Sequence, residues 1–151
     1  MNINTWHTYI HEGTAFFPTV AQTEAGFFLD IEPISMISAT DRIAIEDAIK
    51  NVIAKGNPPA PAPDPFTKQK AAILKYTKVK TWKAFEKSAL MFSIVKVDGI
   101  YKLKPQKHRK DRGWEADTER VEILPAGTTI EEVARLATER IVSEAQKPIE
   151  S

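Results

Sequence analysis

Two short constellations hold the residue types that could do chemistry. In "HTYIHE", His7 and His11 lie four positions apart and Glu12 follows. On a helix that spacing brings two imidazoles to one face, where they can share a metal ion. The zincin order puts the glutamate directly after the first histidine, and H-x-x-x-H-E does not follow it. On a strand, His7, Tyr9 and His11 still share a face, and the chain holds only one further histidine, His108, to complete a site. A solvated strand face accounts for the pattern more simply, and no metal site is expected. The second constellation is Glu115, Asp117 and Glu119, which alternate and would line one face of a strand. Paired carboxylates do acid–base work when their surroundings push their pKa values apart. Three on an open face fit a salt-bridged or solvent-facing surface better.

Other chemistries are closed off by composition. Glycine occurs only at 13, 26, 56, 99, 113 and 127, so no dinucleotide fingerprint, phosphate-binding loop or G-x-S-x-G elbow exists here. The chain has no cysteine, which removes disulfide scaffolds, thiolate zinc sites, iron–sulfur clusters and thiol catalysis. No catalytic residue and no cofactor are expected, and the function is sought in surfaces rather than in an enzyme site.

The surface signal is charge. "KPQKHRKDRGW" holds Lys104, Lys107, Arg109, Lys110 and Arg112, with Trp114 at its end. Residues 1–65 carry three Lys/Arg against eight Asp/Glu, a net of −5; residues 66–112 carry fourteen against three, a net of +11; residues 113–151 carry four against nine, a net of −5. The overall charge of +1 therefore hides a basic middle between acidic flanks. Aromatic residues interleave with that charge: Tyr76, Trp82, Phe85, Phe92, Tyr101 and Trp114. Lysine and arginine with stacking rings are the means of gripping single-stranded nucleic acid, so the 68–112 region is a candidate nucleic-acid surface. Against that, only two arginines lie in it, and base readout leans on arginine. A basic strip can equally steer a protein partner, with Trp82 and Trp114 as anchors beside Lys83, Lys104, Lys107, Arg109, Lys110 and Arg112. Two plainer readings stand beside these: both tryptophans in the core, and 104–114 a solvated loop.

These residues need elements to hold them. The 151 residues suit one domain, with a core large enough to need no staples. "INTWHTYI", "AFFPTVAQ" and "GFFLDIEPI" read as strands, Pro18 pointing to an edge strand or strand end. In the third, Phe27, Leu29 and Ile31 are assigned to the core side. A helix is predicted from about Thr40 to Lys55 on the stripe Ile45, Ala48, Ile49, Val52 and Ile53, capped by Thr40 or Asp41 and ended at Gly56. "NPPAPAPDP", 57–65, has five prolines and reads as an extended connector. A short helix or strand is expected at 71–75 and a helix from Thr81 to about Ser88. "LMFSIVKVDGIYKLKP" reads as a hairpin about Asp98-Gly99, and "WEADTERVEIL" as a strand. The last helix starts at Thr128 or Thr129, with Glu131 or Glu132 at capping-box spacing, and runs on Val133, Leu136, Ala137 and Ile141. The class is α+β: a mainly antiparallel sheet with three or four helices, the last C-terminal. No secretion signal is read at the N-terminus and no apolar run approaches a membrane span, so a soluble, cytoplasmic protein without a membrane partner is expected.

The succession "AGFFLDIEPI", "AIEDAIKNVIAKGNPPAPAPDP", "LKYTKVKTWKAFEKSALMFSI", "GIYKLKPQKHRKDRGWEAD" and "LPAGTTIEEVARLA" resembles small bacterial immunity proteins of contact-dependent growth inhibition and related toxin systems, over about residues 25–145. That resemblance implies a cytoplasmic protein that binds its cognate toxin domain and occludes the active site. It carries no site residue across, because toxin contacts differ among such proteins.

Overall fold

The computed structural model describes residues 2–61 and 71–147. Two hairpins form the centre of the sheet. Strand β1 (Ile3–His11) turns into β2 (Thr14–Gln22), and β4 (Leu90–Val97) turns into β5 (Ile100–His108). Both connections are two-residue turns with positive φ at both positions: 49° and 78° at Glu12-Gly13, 48° and 85° at Asp98-Gly99. That left-handed pair matches the twist of the flanking strands, and an acid before glycine adopts it at low cost. Strand β3 (Phe28–Ser38) follows β2, and two short strands, β6 (Trp114–Ala116) and β7 (Glu122–Ile123), both pair with β5. The seven-stranded sheet runs β3-β2-β1-β4-β5-β6, with every strand pair antiparallel.

Three α-helices accompany it: α1 (Arg42–Lys55), α2 (Trp82–Ser88) and the C-terminal α3 (Ile130–Ala145). Each N-terminus is closed by a side chain accepting from an otherwise unpaired backbone N–H: Asp41 from Ala44 at 3.1 Å, Thr81 from Ala84 at 3.2 Å, Thr129 from Glu132 at 3.2 Å. The architecture is α+β. Among the described residues, no helix is long and apolar enough to cross a membrane.

Strand alternation sends β1 into two separate cores. Trp6 and Ile10 join Phe17, Phe92, Ile94 and Leu103 beneath α1 and α3, which add Ile45, Ile49, Val133 and Ile141. Tyr9 points the other way, with Phe16, into a smaller cluster closed by Ile73, Leu74, Phe85 and Ala89. The expected element at 71–75 is a 3₁₀ helix, Ala72–Tyr76, and with α2 it covers this second face. Burying both faces explains why β1 and β2 are buried along most of their length, polar Thr5, Thr8 and His11 of β1 included.

Three expectations are corrected. Strand β2 lies between β1 and β3 and is not an edge; Pro18 is accommodated because the ladder shifts register between Pro18 and Thr19, a bulge that needs no proline donor. Phe27 is 70% exposed, while Phe28 packs against the larger core, because the strand begins one residue later than the alternation assumed. The run 114–124 is not one strand: β6 gives way to a 3₁₀ turn, Thr118–Arg120, before β7.

Strands β1 and β2 pair in register only from Tyr9↔Phe16 to His11↔Thr14. Beyond that point the side chain of Asn57, at the start of the proline-rich stretch, stands between them. Its Nδ2 donates to the Thr5 and Val20 carbonyls at 2.8 and 3.0 Å, and its Oδ1 accepts from the Thr5 N–H at 3.1 Å. One amide thus satisfies backbone groups that the ladder leaves open. Next to it, Gln22 and Pro59 form a parallel bridge, with Gln22 N–H donating to Pro58 and Ala60 N–H to Gln22. Residues 62–65 of the stretch, and Lys68 and Lys70 of the basic region, lie outside the described residues.

Asn57→Asp keeps the shape but loses both donors and sets a negative charge against two carbonyls. It is expected to lower stability by about 2 kcal/mol or more, with Asn57→Ala lowering it as well. Urea unfolding checks this; an unchanged midpoint in both variants would show that water replaces the amide without cost.

Candidate functional site

Much of the basic middle of the sequence lies on the side of the sheet that α2 covers. Helix α2 lies over the second core with Phe85 fully buried, which leaves Lys83 and Lys87, four residues apart, exposed on its outer side. The chain leading into α2 carries exposed Lys75, Lys78 and Lys80. On β5, Lys102 and Lys104 alternate with Tyr101 and Leu103, which belong to the larger core, so these lysines emerge on the side of the sheet where α2 lies. The basic run 104–114 is not a solvated loop throughout: residues 104–108 end β5, Trp114 begins β6, and only 109–113 form the loop between them. Lys107, Arg109, Lys110 and Arg112 are exposed there.

That loop is tied to α2. Arg112 Nε donates to Glu86 Oε2 at 2.6 Å, and His108 Nε2 lies 2.7 Å from the Glu86 carbonyl oxygen. A carbonyl only accepts, so this ring nitrogen carries the proton. Trp114 Nε1 donates to the Ala89 carbonyl at 3.2 Å, and Arg109 forks onto Asp111 at 3.0 and 3.1 Å. Hydrogen bonding from Arg112 holds the Glu86 carboxyl below its ordinary value, so the tie to α2 is ionised and in place at neutral pH. Under this frame the aromatic rings pack on one another. Trp82 stacks on Phe85 with centroids 5.2 Å apart and meets Trp114 edge-on at 6.0 Å; Tyr9 touches Trp82, Phe85 and Trp114. Both tryptophans are half-buried members of the second core.

Pairing leaves the positive charge standing. Among the described residues, one ion pair joins the basic middle to an acidic flank, Lys75–Glu32 at 3.4 Å. The flanks instead use their own cations: Arg42 with Glu139, Arg120 and Lys147 with Glu144, Arg135 with Glu132, Arg140 with Glu122. Within the middle, Arg109 and Arg112 are matched by Asp111 and Glu86. Lys83, Lys87, Lys104, Lys107 and Lys110 form no ion pair among the described residues, although Lys107 stands opposite Glu115 across the β5–β6 ladder.

The structure therefore brings Trp82, Lys83, Lys104, Arg109, Lys110, Arg112 and Trp114 to α2, its side of β5 and β6, and the loop between the two strands, while Lys107, in phase with Leu103, is turned to the opposite face beside Glu115. Sequence reasoning passed over Lys87, Glu86 and His108. Lys87 was legible as the residue one helical turn beyond Lys83. Glu86 is the sole acid between Phe66 and Val97, a signal that it must serve as a counter-charge.

The other candidates fall apart as chemical sites. His7 and His11 share a face of β1, but four steps along the strand separate them by about 13 Å. Neither lies on the solvated face that alternation suggested: His11 is 6% exposed, with Nε2 3.0 Å from Ser88 Oγ. His7 sits among Ser93 Oγ, 3.5 Å from Nδ1, and Asp30 Oδ1, 3.8 Å from Nε2, while Tyr9 donates to the other Asp30 oxygen at 2.5 Å. Burial pushes the His7 imidazole down against the raising pull of Asp30, and pushes the Tyr9 hydroxyl well up. Asp117 precedes a 3₁₀ turn and pairs with Arg120, so the three carboxylates at 115–119 never share a strand face. No group of three or more metal-ligating side chains converges among the described residues. Two grooves of about 360 Å³ flank the helices; the one lined by Arg120, Glu122, Arg140 and Glu144 has these charges matched within it.

No family model matches the sequence, and no curated protein does. Solved structures share the fold over nearly the whole length. A protein of unknown function from Neisseria meningitidis is 16% identical, covering 96% of this chain and 96% of that one, with a TM-score of 0.66. A chain of the CdiA-CT/CdiI toxin and immunity complex from Yersinia pseudotuberculosis is 13% identical, covering 97% of this chain and 99% of that one, with a TM-score of 0.59. At such identities the likeness is one of fold.

Two outcomes follow from this geometry. A histidine whose folded pKa lies below the ordinary 6.5 contributes nothing above that pH and costs stability as pH falls through it, because the unfolded chain takes up a proton the folded chain refuses. The unfolding midpoint is expected to fall between about pH 6.5 and 5, and to fall less in His7→Gln; identical profiles would assign the loss to other groups. Glu86→Gln loosens the hold on Arg112, so amide exchange at 109–113 is expected to rise roughly tenfold with little change in melting temperature. Unchanged exchange would place the loop's order in the Trp114 and His108 contacts alone.

Proposed function

We propose that this protein is a binder that neutralises a cognate toxin domain, of the kind deployed in contact-dependent growth inhibition, by covering its active site. The observation that carries the reading is the fold shared with a chain of a solved toxin and immunity complex across 97% of this chain. The sequence resemblance to immunity proteins points the same way. Neutralisation by occlusion asks for a rigid surface and an interface of standard size, about 800 Å² on each partner, and needs no catalytic group. The surface about α2 and the β5–β6 loop suits that role because its loop is tied down before any partner arrives. The protein acts in the cytoplasm of the cell that makes it, where an incoming toxin must be met.

The rival reading is nucleic-acid binding through the same basic region, favoured by the lysines that stand without counter-charges. One experiment separates the two. A tagged copy is recovered from its native cell with nuclease treatment and high-salt washing, and the retained protein is identified by mass spectrometry. The expected result is stoichiometric capture of the C-terminal domain of a large secreted protein, whose expression alone arrests growth and whose arrest coexpression lifts. Empty beads after nuclease, with nucleic acid recovered when nuclease is omitted, would overturn the proposal, since phosphate-driven contacts are the ones that high salt dissolves.

A further inference from the structure

We infer that the face formed by α2 and the β5–β6 loop docks an acidic surface of a protein partner, and that the contacts run through Lys83, Lys87 and Lys110; this inference rests on the toxin-binding reading above. Three observations carry it. First, charge: all three are exposed, on two elements that Glu86 ties together. The fold brings the acidic flanks to arginines of their own and leaves these lysines to an external counter-charge. A patch of one sign speeds encounter with a patch of the other and rejects partners of like sign.

Second, the rings are already committed. Binding a single strand asks for aromatic faces open to bases. Trp82 stacks on Phe85, and Trp114 meets Trp82 edge-on while its Nε1 donates to the Ala89 carbonyl. Third, the arginines are committed too. Phosphate clamps favour the bidentate guanidinium fork, and here Arg109 forks onto Asp111 while Arg112 closes on Glu86. What remains outward is a set of flexible point charges on a fixed frame. Such charges suit carboxylates spread across a protein surface, where each lysine can find its own partner.

The test uses the full chain and the toxin domain that the wild-type protein captures. Lys83→Glu, Lys87→Glu and Lys110→Glu are combined in one variant, with the three Lys→Gln changes as a milder second, both checked for an unchanged melting temperature. Association is followed by surface plasmon resonance at low and high salt, and a 20-nucleotide single-stranded DNA is run in parallel. The expected result is association with the toxin domain slowed roughly tenfold or more by the charge reversal at low salt, by less in the Gln variant, with all three proteins converging at high salt. Wild-type association rates in both variants would overturn the docking face while leaving toxin binding intact. Tight DNA binding by the wild type that both variants lose would assign the lysines to phosphate instead. Capture of no toxin domain by the wild type would overturn the docking face together with the function it rests on.

Discussion

Strand β1 must be buried on both faces and bonded on both edges, and the rest of the molecule is arranged to meet that demand. Along β4 the ladder is continuous from Ile3↔Val97 to Ile10↔Leu90. Along β2 it stops after three pairs, and Asn57 takes over the Thr5 and Val20 groups that would otherwise be buried without partners. The faces set a second condition. Trp6 and Ile10 call for the α1–α3 layer; Tyr9 calls for a cover of its own, which the 3₁₀ helix and α2 provide. A sheet with one open face would have needed neither α2 nor the docked loop beside it.

The basic surface follows from that second cover. Helix α2 is seven residues long and would not persist alone in water. It is held by Phe85, by the edge-on contact of Trp82 with Trp114 and by the Thr81 cap, and a helix so short buries one side and presents the other. Because the segment that supplies the cover is also the lysine-rich segment, what α2 presents is positive charge. Glu86 is the exception that organises the rest. It faces the β5–β6 loop, accepts from Arg112, and its backbone carbonyl receives His108, so one residue sets the height of the loop against the helix.

Charge pairing in this fold follows proximity within each segment more than attraction between segments. Arg120, Arg135 and Arg140 reach acids within their own part of the chain, and Arg42 reaches Glu139 because α1 and α3 pack side by side. Exposed pairs of this kind add little to stability. Their effect lies in consuming acidic groups that could otherwise have offset the lysines.

Features that depend on near neighbours were legible from the order of residues alone. The apolar stripes of α1 and α3, the Asp41, Thr81 and Thr129 caps, the Asp98-Gly99 hairpin and the segregation of charge are all set within a few positions, by periodicity, by short side chains that reach backbone N–H groups, and by φ values that glycine and aspartate tolerate. What long-range packing decides was not. Pro18 could enter an interior strand because a bulge relieves it of donating, and Phe28 rather than Phe27 turned inward because strand phase is set by the partner strand. The tryptophans took their place in a core because the second face of β1 had to be covered, and the lysines of α2 stayed outward because Glu86, the one acid of that helix, was already held by Arg112. Each of these depends on residues that meet only after the chain has folded, and local pattern carries no record of such meetings.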